Sequence, residues 1–148
     1  EFCTQLKNDM LSLPFPAPLF YEGIFPTNAG AFSMTPIHVD NVAEFFVKAL
    51  KEKYTMEKIY NLGGIKTLTW EKIIHDIALA SGKSTWKIPA PVSAIKILGS
   101  ILGQFKWFPV TNDQLTMLME GNIVNENYFE EFSIKPKQFI KKNLDYLG

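Results

Sequence analysis

The chain has 148 residues, of which 47% are hydrophobic, and its fifteen lysines balance fifteen acidic residues. A chain of this size and apolar content can bury one hydrophobic core, whereas a net charge of zero provides no field that would attract nucleic acid. Cys3 is the only cysteine, which excludes a disulfide framework and a thiolate metal site and fits a reducing cytoplasm. No apolar run approaches the roughly 20 residues of a membrane span, so we expect a cytoplasmic protein that does not contact membranes.

All fifteen cationic residues are lysines, and arginine is absent. The planar guanidinium group of arginine matches a phosphate through two hydrogen bonds at once, and proteins that bind nucleotide diphosphates usually use it. The absence of arginine therefore argues against a phosphate-rich ligand, although a genome rich in A and T would also favour lysine codons.

Residues 1–30 have no initiating methionine and no apolar periodicity longer than a turn or two. A short helix face is predicted within Phe2–Leu11, and the prolines of Leu13–Pro18 impose an extended backbone. We expect this segment to belong to the end of a larger unit. Its large apolar side chains would then drive self-association of the isolated chain, and a homodimer is the simplest product. These side chains are Phe2, Leu6, Phe15, Phe20 and Phe25.

The clearest local pattern runs from Thr35 to Leu50 and changes from a strand period to a helix period. Pro36–Val39 alternates apolar and polar side chains and is predicted to be a short strand. Asp40 is the predicted helix N-cap, because its carboxylate can accept hydrogen bonds from the free N–H groups of the first turn. The helix is predicted to bury one apolar stripe and to expose its polar side chains. The stripe consists of Val42, Phe45, Phe46, Ala49 and Leu50, and the outer residues are Asn41, Glu44, Lys48 and Lys51.

The rest of the chain predicts short strands that alternate with helices. Ile59–Leu62 and Thr85–Ile88 have the length and apolar content of short strands, and Pro89 and Pro91 should end the second one. We therefore expect an α+β fold in which four or five helices cover a small sheet of short strands. The further predicted helices run from Thr69 to Gly82, from Pro91 to Leu102, from Thr111 to Gly121 and from Pro136 to Leu147.

Four blocks of sequence, in this order, resemble the extended short-chain dehydrogenase/reductase superfamily. They are P-I-H-V-D-N-V-A at 36–43, I-Y-N-L-G-G at 59–64 with T-L-T-W-E at 67–71, W-K-I-P at 86–89, and W-F-P-V-T-N-D-Q-L at 107–115. The first block is similar to the signature of the NAD(P)-dependent epimerases and dehydratases. The other three are similar to the branch related to the 39 kDa subunit of respiratory complex I.

The resemblance implies a C-terminal substrate-binding domain at residues 35–148 of an extended Rossmann-type protein. Residues 1–34 would then be the remnant that follows a missing N-terminal cofactor-binding domain. The full-length protein would be an NAD(P)-dependent oxidoreductase or epimerase. The same branch leaves a second function open, namely a non-catalytic assembly or interaction subunit similar to the complex I subunit.

The chain itself lacks the two motifs that the chemistry of this superfamily uses. No G-x-G-x-x-G sequence is present to bring backbone N–H groups to a pyrophosphate, and Gly63-Gly64 is interpreted as a tight turn. Tyr54 and Lys58 match the spacing of the catalytic Tyr-x-x-x-Lys pair but follow the first block instead of preceding it, so the match is interpreted as coincidence. We therefore expect no catalytic, cofactor-binding or metal site in this chain alone.

Three residues are candidates for contact with a substrate, namely Met34, His38 and Trp107. Sugar-nucleotide members of the superfamily commonly carry an arginine four residues before the histidine of the first block. Met34 occupies that position here, which favours a less anionic ligand or no turnover. His38 is a proton-transfer group, a ligand, or a hydrogen-bonded structural residue, the commonest role of a lone histidine in a strand. Trp107 and the apolar helix before it can belong to the core, to a protein interface or to a membrane-surface anchor.

Overall fold

The computed structural model of the chain describes residues 2–12, 16–84, 86–102 and 112–148. Within these ranges the chain forms five α-helices and four short strands, which confirms the predicted α+β class. The helices are α1 (Phe2–Leu6), α2 (Val39–Lys51), α3 (Trp70–Ala80), α4 (Val92–Leu102) and α5 (Asn112–Glu120). The strands are β1 (Ala17–Tyr21), β2 (Ser33–Met34), β3 (Leu68–Thr69) and β4 (Lys87–Pro91).

The strands form two separate two-stranded sheets. β1 and β4 pair in parallel, with Ala17 opposite Lys87 and Phe20 opposite Ala90. β2 and β3 pair antiparallel, with Met34 opposite Leu68. Both pairs join segments that are distant in sequence, and such non-local pairing slows folding.

Three of the strand predictions are corrected by the structure. The predicted strand Pro36–Val39 does not form, since residues 35–38 belong to no strand and Val39 begins α2, and the strand of this region is β2 at Ser33–Met34. Ile59–Leu62 forms no strand. The strand predicted to stop before Pro89 continues to Pro91. Proline is tolerated there because, among the described residues, β4 pairs with β1 alone, and alternate residues of such an edge strand need no N–H donor.

The main core is built around α3, whose boundaries the sequence predicts correctly. Trp70, Ile73 and Ile77 are almost completely buried. The Thr69 hydroxyl caps the helix by accepting the Lys72 N–H at 3.3 Å, and Gly82 follows it with a φ of +64°. The Trp70 indole N–H donates to the carbonyl oxygen of Pro18 at 2.9 Å, which ties the helix to β1.

Helix α2 is amphipathic, but its faces differ from the prediction. Phe45 is buried against a second cluster formed by Phe129, Phe132 and Ile134. Asn41, predicted to be outward, is completely buried, whereas Phe46 and Leu50, predicted to be inward, are 65% and 88% exposed. The core therefore meets the helix on the face of Asn41 and Phe45, which is rotated from the most hydrophobic face.

The predicted C-terminal helix Pro136–Leu147 is replaced by two short 3-10 turns, Lys141–Asn143 and Asp145–Leu147. Leu144 and Leu147 are buried, whereas Ile140 is 44% exposed. The Asn143 side chain donates to the Gln138 carbonyl at 2.8 Å and so competes with helical backbone bonding.

Helices α4 and α5 agree with the predicted helices where the structure describes them. α4 begins at Val92 because Pro91 is the last residue of β4, and Gly121, with a φ of +70°, follows α5. The predicted capping residue Thr111 lies outside the described residues. No described helix combines the length and the apolar character needed to cross a membrane.

The N-terminal segment is more integrated than the sequence predicts. Leu6 and Phe20, both expected on an exposed surface, are 8% and 0% exposed, since they pack with Trp70 in the main core. Phe2 and Phe25 are exposed as expected, at 46% and 71%. Phe15 lies outside the described residues. Core residues thus come from both sides of the predicted boundary at residues 34 and 35, and the two-part division stays a prediction.

Candidate functional site

A cleft of about 1290 Å³ opens beside the start of α2. Its walls come from α1, from residues 34–40, from the C-terminal half of α5 and from residues 137–146. Apolar side chains form most of the inner wall, among them Leu6, Met10, Phe20, Met34 and Trp70. At the end where α2 begins, called the polar end below, His38, Asp40 and Lys137 line the cleft. Clefts with apolar walls and a few converging polar groups are typical of small-molecule sites.

The segment Met34–Pro36 forms one wall and is fixed by backbone bonds on two sides. The Thr35 N–H donates to the Asn122 carbonyl at 2.8 Å, and the Thr35 hydroxyl accepts the Val124 N–H at 2.9 Å. On the other side, the Gly64 N–H donates to the Thr35 carbonyl at 3.2 Å. This wall is therefore fixed to residues 122–124 on one side and to Gly64 on the other.

Gly63 and Gly64 are sites of close backbone approach, not the tight turn predicted from the sequence. A Cβ atom added at Gly64 would lie 2.0 Å from the Pro36 carbonyl oxygen, and one at Gly63 would lie 2.7 Å from the Cβ of Val124. The two glycines let the chain pass directly behind the Thr35–Pro36 wall. No pyrophosphate could occupy that space.

His38, not Asp40, is the N-cap of α2. The Nδ1 atom of His38 accepts the Asp40 N–H at 3.2 Å, and its side chain is only 16% exposed. Asp40 lies within the first turn, where its negative charge still meets the positive end of the helix dipole. The imidazole is thereby held at the polar end of the cleft.

Asp40 is paired with Lys137 from the opposite wall. The Lys137 ammonium donates to the Asp40 carboxylate, and this hydrogen bond, aided by the positive charge of Lys137, lowers the pKa of Asp40 below its ordinary value. The pair joins the start of α2 to the C-terminal segment across the mouth of the cleft.

The cysteine of α1 meets the C-terminal segment inside the cleft. Cys3 is 8% exposed, and its burial raises the pKa of the thiol despite a hydrogen bond to Tyr146. Burial of the Tyr146 hydroxyl, together with its contact with Cys3, raises the pKa of Tyr146 to about 12. Both groups are protonated at neutral pH, so neither is poised as a nucleophile or a base there.

The structure brings together two of the three predicted substrate residues. Met34 and His38 line the same cleft, whereas Trp107 lies outside the described residues. Cys3, Lys137 and Tyr146 also line the cleft, and sequence reasoning missed them as site residues. Their sequence positions carry no common motif, because the cleft forms only when the two ends of the chain pack beside α2.

The Tyr-x-x-x-Lys match has no catalytic geometry. Tyr54 lies within the 3-10 turn Lys53–Thr55 and Lys58 follows it, with the Lys58 ammonium 5.5 Å from the centre of the Tyr54 ring. Partial burial, followed by the charges of Glu131 and Glu52, raises the pKa of Tyr54, whereas a catalytic tyrosine needs a lowered one. This geometry favours the interpretation of the match as coincidence.

Within the described part of the chain, no three His, Cys, Asp or Glu side chains are grouped so that they could hold a metal ion. Comparison with models of known protein families and with curated proteins gave no match.

Proposed function

We propose that this chain is the C-terminal substrate-binding domain of an NAD(P)-dependent oxidoreductase of the epimerase/dehydratase type, and that it is not catalytic by itself. The observation that carries the proposal is the cleft, since the residues picked out by the first sequence block, Met34 and His38, stand together in its wall. The exposed polar end and the apolar interior suit a substrate that is oriented at one end.

The volume of the cleft supports a role beside a second domain. At about 1290 Å³ it exceeds the roughly 300–1,000 Å³ of typical ligand sites. A substrate together with the reactive end of a cofactor, presented by the neighbouring domain, would use such a space fully. In this proposal the protein acts in the cytoplasm.

The described residues do not fit the pyrophosphate of the cofactor itself. Gly63 and Gly64 offer the nearest glycine pair, but the Gly64 N–H is bonded to Thr35 and the space beside it is filled by Pro36. No step of the chemistry is therefore assigned to these residues. NAD(P) would be held by the preceding domain of the full-length protein.

The test is a fluorescence titration with NADPH of two proteins, this 148-residue chain and the product of the full gene that encodes it. We expect the full product to bind NADPH at micromolar concentration and the 148-residue chain to show no saturation. A full product with neither a glycine-rich turn nor a Tyr-x-x-x-Lys pair ahead of residue 1, or one that ignores NADPH, would contradict the enzyme proposal.

A second candidate, a non-catalytic assembly subunit, is favoured by the outer face of α2. This face carries apolar side chains at helical spacing, and four of them are at least half exposed. Exposed apolar patches of several hundred Å² are typical of protein interfaces. The face consists of Val39, Ala43, Phe46, Val47 and Leu50.

Co-purification distinguishes the two candidates. A stoichiometric protein partner recovered from native extract by the wild-type chain, and lost with the double variant Phe46→Lys, Leu50→Lys, would favour assembly. A monodisperse full-length protein that retains cofactor and no partner would favour the enzyme. Sedimentation of the wild-type chain and the double variant shows in addition whether this face, and not the N-terminal segment, makes a homodimer.

A further inference from the structure

We propose that the cleft selects an uncharged, largely apolar ligand that carries one carbonyl oxygen, and that the Nε2–H group of His38 donates a hydrogen bond to that oxygen. The inference names the substrate class of the proposed function and rests on it. It comes from the hydrogen bonding of His38 and from the balance of charge around the cleft.

The helix cap sets the tautomer of His38. Because Nδ1 accepts the backbone N–H of Asp40 at 3.2 Å, it carries no proton, and the neutral ring holds its proton on Nε2. Within the described residues Nε2 forms no hydrogen bond, although the side chain is only 16% exposed. The ring thus presents one donor to the cleft.

Neighbouring polar side chains in the cleft wall are already engaged by the protein. The Thr35 hydroxyl accepts from Val124, and the Asn143 amide donates to Gln138. Lys137 is paired with Asp40. A ligand that reaches this end of the cleft can therefore gain a hydrogen bond from the His38 N–H group by offering an acceptor.

The charge of the lining argues for a neutral ligand. Among the described lining residues two lysines, Lys137 and Lys142, are balanced by two aspartates, Asp40 and Asp145. Met34 offers a thioether where a phosphate-binding cation would be needed. A charged ligand would meet a like charge as readily as an opposite one and so gains no net electrostatic attraction. A neutral oxygen is not repelled by either charge.

The rest of the ligand must be apolar, because the inner wall offers few polar partners. Leu6, Phe20 and Trp70 are almost completely buried, and Met10 and Met34 border the cleft beside them. Methionine side chains adapt to apolar bodies of different shape, which suits an aliphatic or aromatic ligand.

The test uses three eight-carbon probes, 2-octanone, octanoate and octylamine, and follows the labelled methyl groups of the methionines by NMR. Met10, Met34 and Met117 line the cleft, whereas Met56 and Met119 do not. We expect 2-octanone to shift the first three signals and to bind at least fivefold more tightly than either charged probe.

His38→Asn is the decisive variant. Asparagine is a good N-cap, so the helix start is kept, but the reach of the imidazole into the cleft is lost. We expect the variant to bind 2-octanone roughly fivefold to tenfold more weakly, the worth of one hydrogen bond, and to bind octylamine as the wild type does. Unchanged Met56 and Met119 signals establish that the variant is folded.

Two results would overturn the inference in different ways. If the cleft methionines respond equally to all three probes and His38→Asn changes nothing, the carbonyl assignment is wrong while the cleft remains a binding site. If no probe shifts the cleft methionines, the substrate-binding proposal fails together with it.

Discussion

The side-chain oxygen of Asn41 accepts the backbone N–H of Lys137 at 2.7 Å, across 96 residues of sequence. The Asn41 amide also donates to the carbonyl of Lys135 at 3.0 Å. One fully buried amide thus fastens the C-terminal segment, and with it the lysine that pairs with Asp40, to helix α2. The opposite wall of the cleft depends on this contact.

Replacement of Asn41 by alanine should lower the free energy of unfolding by about 1–3 kcal/mol, because it removes the two hydrogen bonds of the buried amide. Urea unfolding measures the loss. Asn125→Ala is the matched control, since Asn125 is exposed and should change the value by less than about 0.5 kcal/mol. Equal values for the two variants would show that Asn41 does not hold the segment.

Replacement of His38 by alanine should cost about 0.5–2 kcal/mol through loss of the α2 cap, and His38→Asn should restore most of it. Asp40→Ala should cost less than His38→Ala, because Asp40 is in the first turn and is not the cap. Thermal unfolding of the three variants decides the point. A larger loss of stability for Asp40→Ala than for His38→Ala would show that Asp40 is the cap.

The contribution of the Asp40–Lys137 pair should depend on pH. Since the pKa of Asp40 is lowered in the folded protein, the pair stabilises above the ordinary carboxyl pKa, near pH 4, and this stabilisation is lost as the pH falls through the folded value. Wild type should therefore exceed Asp40→Asn in stability at pH 6 by more than at pH 3. High salt should reduce the difference at pH 6, because the pair is exposed. A difference that does not change with pH would contradict this assignment.

Gly64→Ala should displace the Thr35–Pro36 wall, because the new methyl group would overlap the Pro36 carbonyl. We expect a cost of about 1–3 kcal/mol, as for other overpacked sites, and a change in the Met34 methyl signal. Gly82→Ala is a useful comparison, since a Cβ there meets no atom within 4 Å and only its φ of +64° opposes the change. A Met34 signal that moves equally in both variants would refute the specific effect on the wall.

The parts of the fold that local sequence predicts well are those whose stabilising contacts are local. Helix α3 has its Thr69 cap, its isoleucine stripe and its terminal Gly82 within fourteen consecutive residues. The predicted helix Pro136–Leu147 also has an amphipathic pattern, but the Asn143 side chain bonds to the Gln138 carbonyl and the chain forms 3-10 turns instead. The local sequence is compatible with a helix in both segments, but only the first segment forms one.

The faces of α2 could not be predicted because their partners are remote. The polarity of Asn41 predicts a surface position. Its burial is explained by the hydrogen bonds of its side chain to the backbone of Lys135 and Lys137. The two apolar residues Phe46 and Leu50 read as core residues but face outward. Helix α2 carries apolar side chains both on its buried face and on its exposed face, so its hydrophobic pattern does not identify which face is buried.

The candidate site was predicted in part. Met34 and His38 were found through the first sequence block, and the structure places both in one cleft. The cap assignment to Asp40 was wrong because histidine and aspartate are both able to accept the N–H groups of a first turn, and backbone geometry selects between them. Cys3 and Tyr146 come from opposite ends of the chain and offer no local signal.

The most direct test of the central claim, that the cleft beside α2 is a ligand site, is a methyl NMR screen of the 148-residue chain with a library of small neutral ketones, esters and alcohols. Three of the five methionines line the cleft, and the two that do not serve as internal controls. The account predicts that ligands shift Met10, Met34 and Met117 together and leave Met56 and Met119 unchanged. Shifts confined to the exposed Met56, or no shifts with any member of the library, would contradict it.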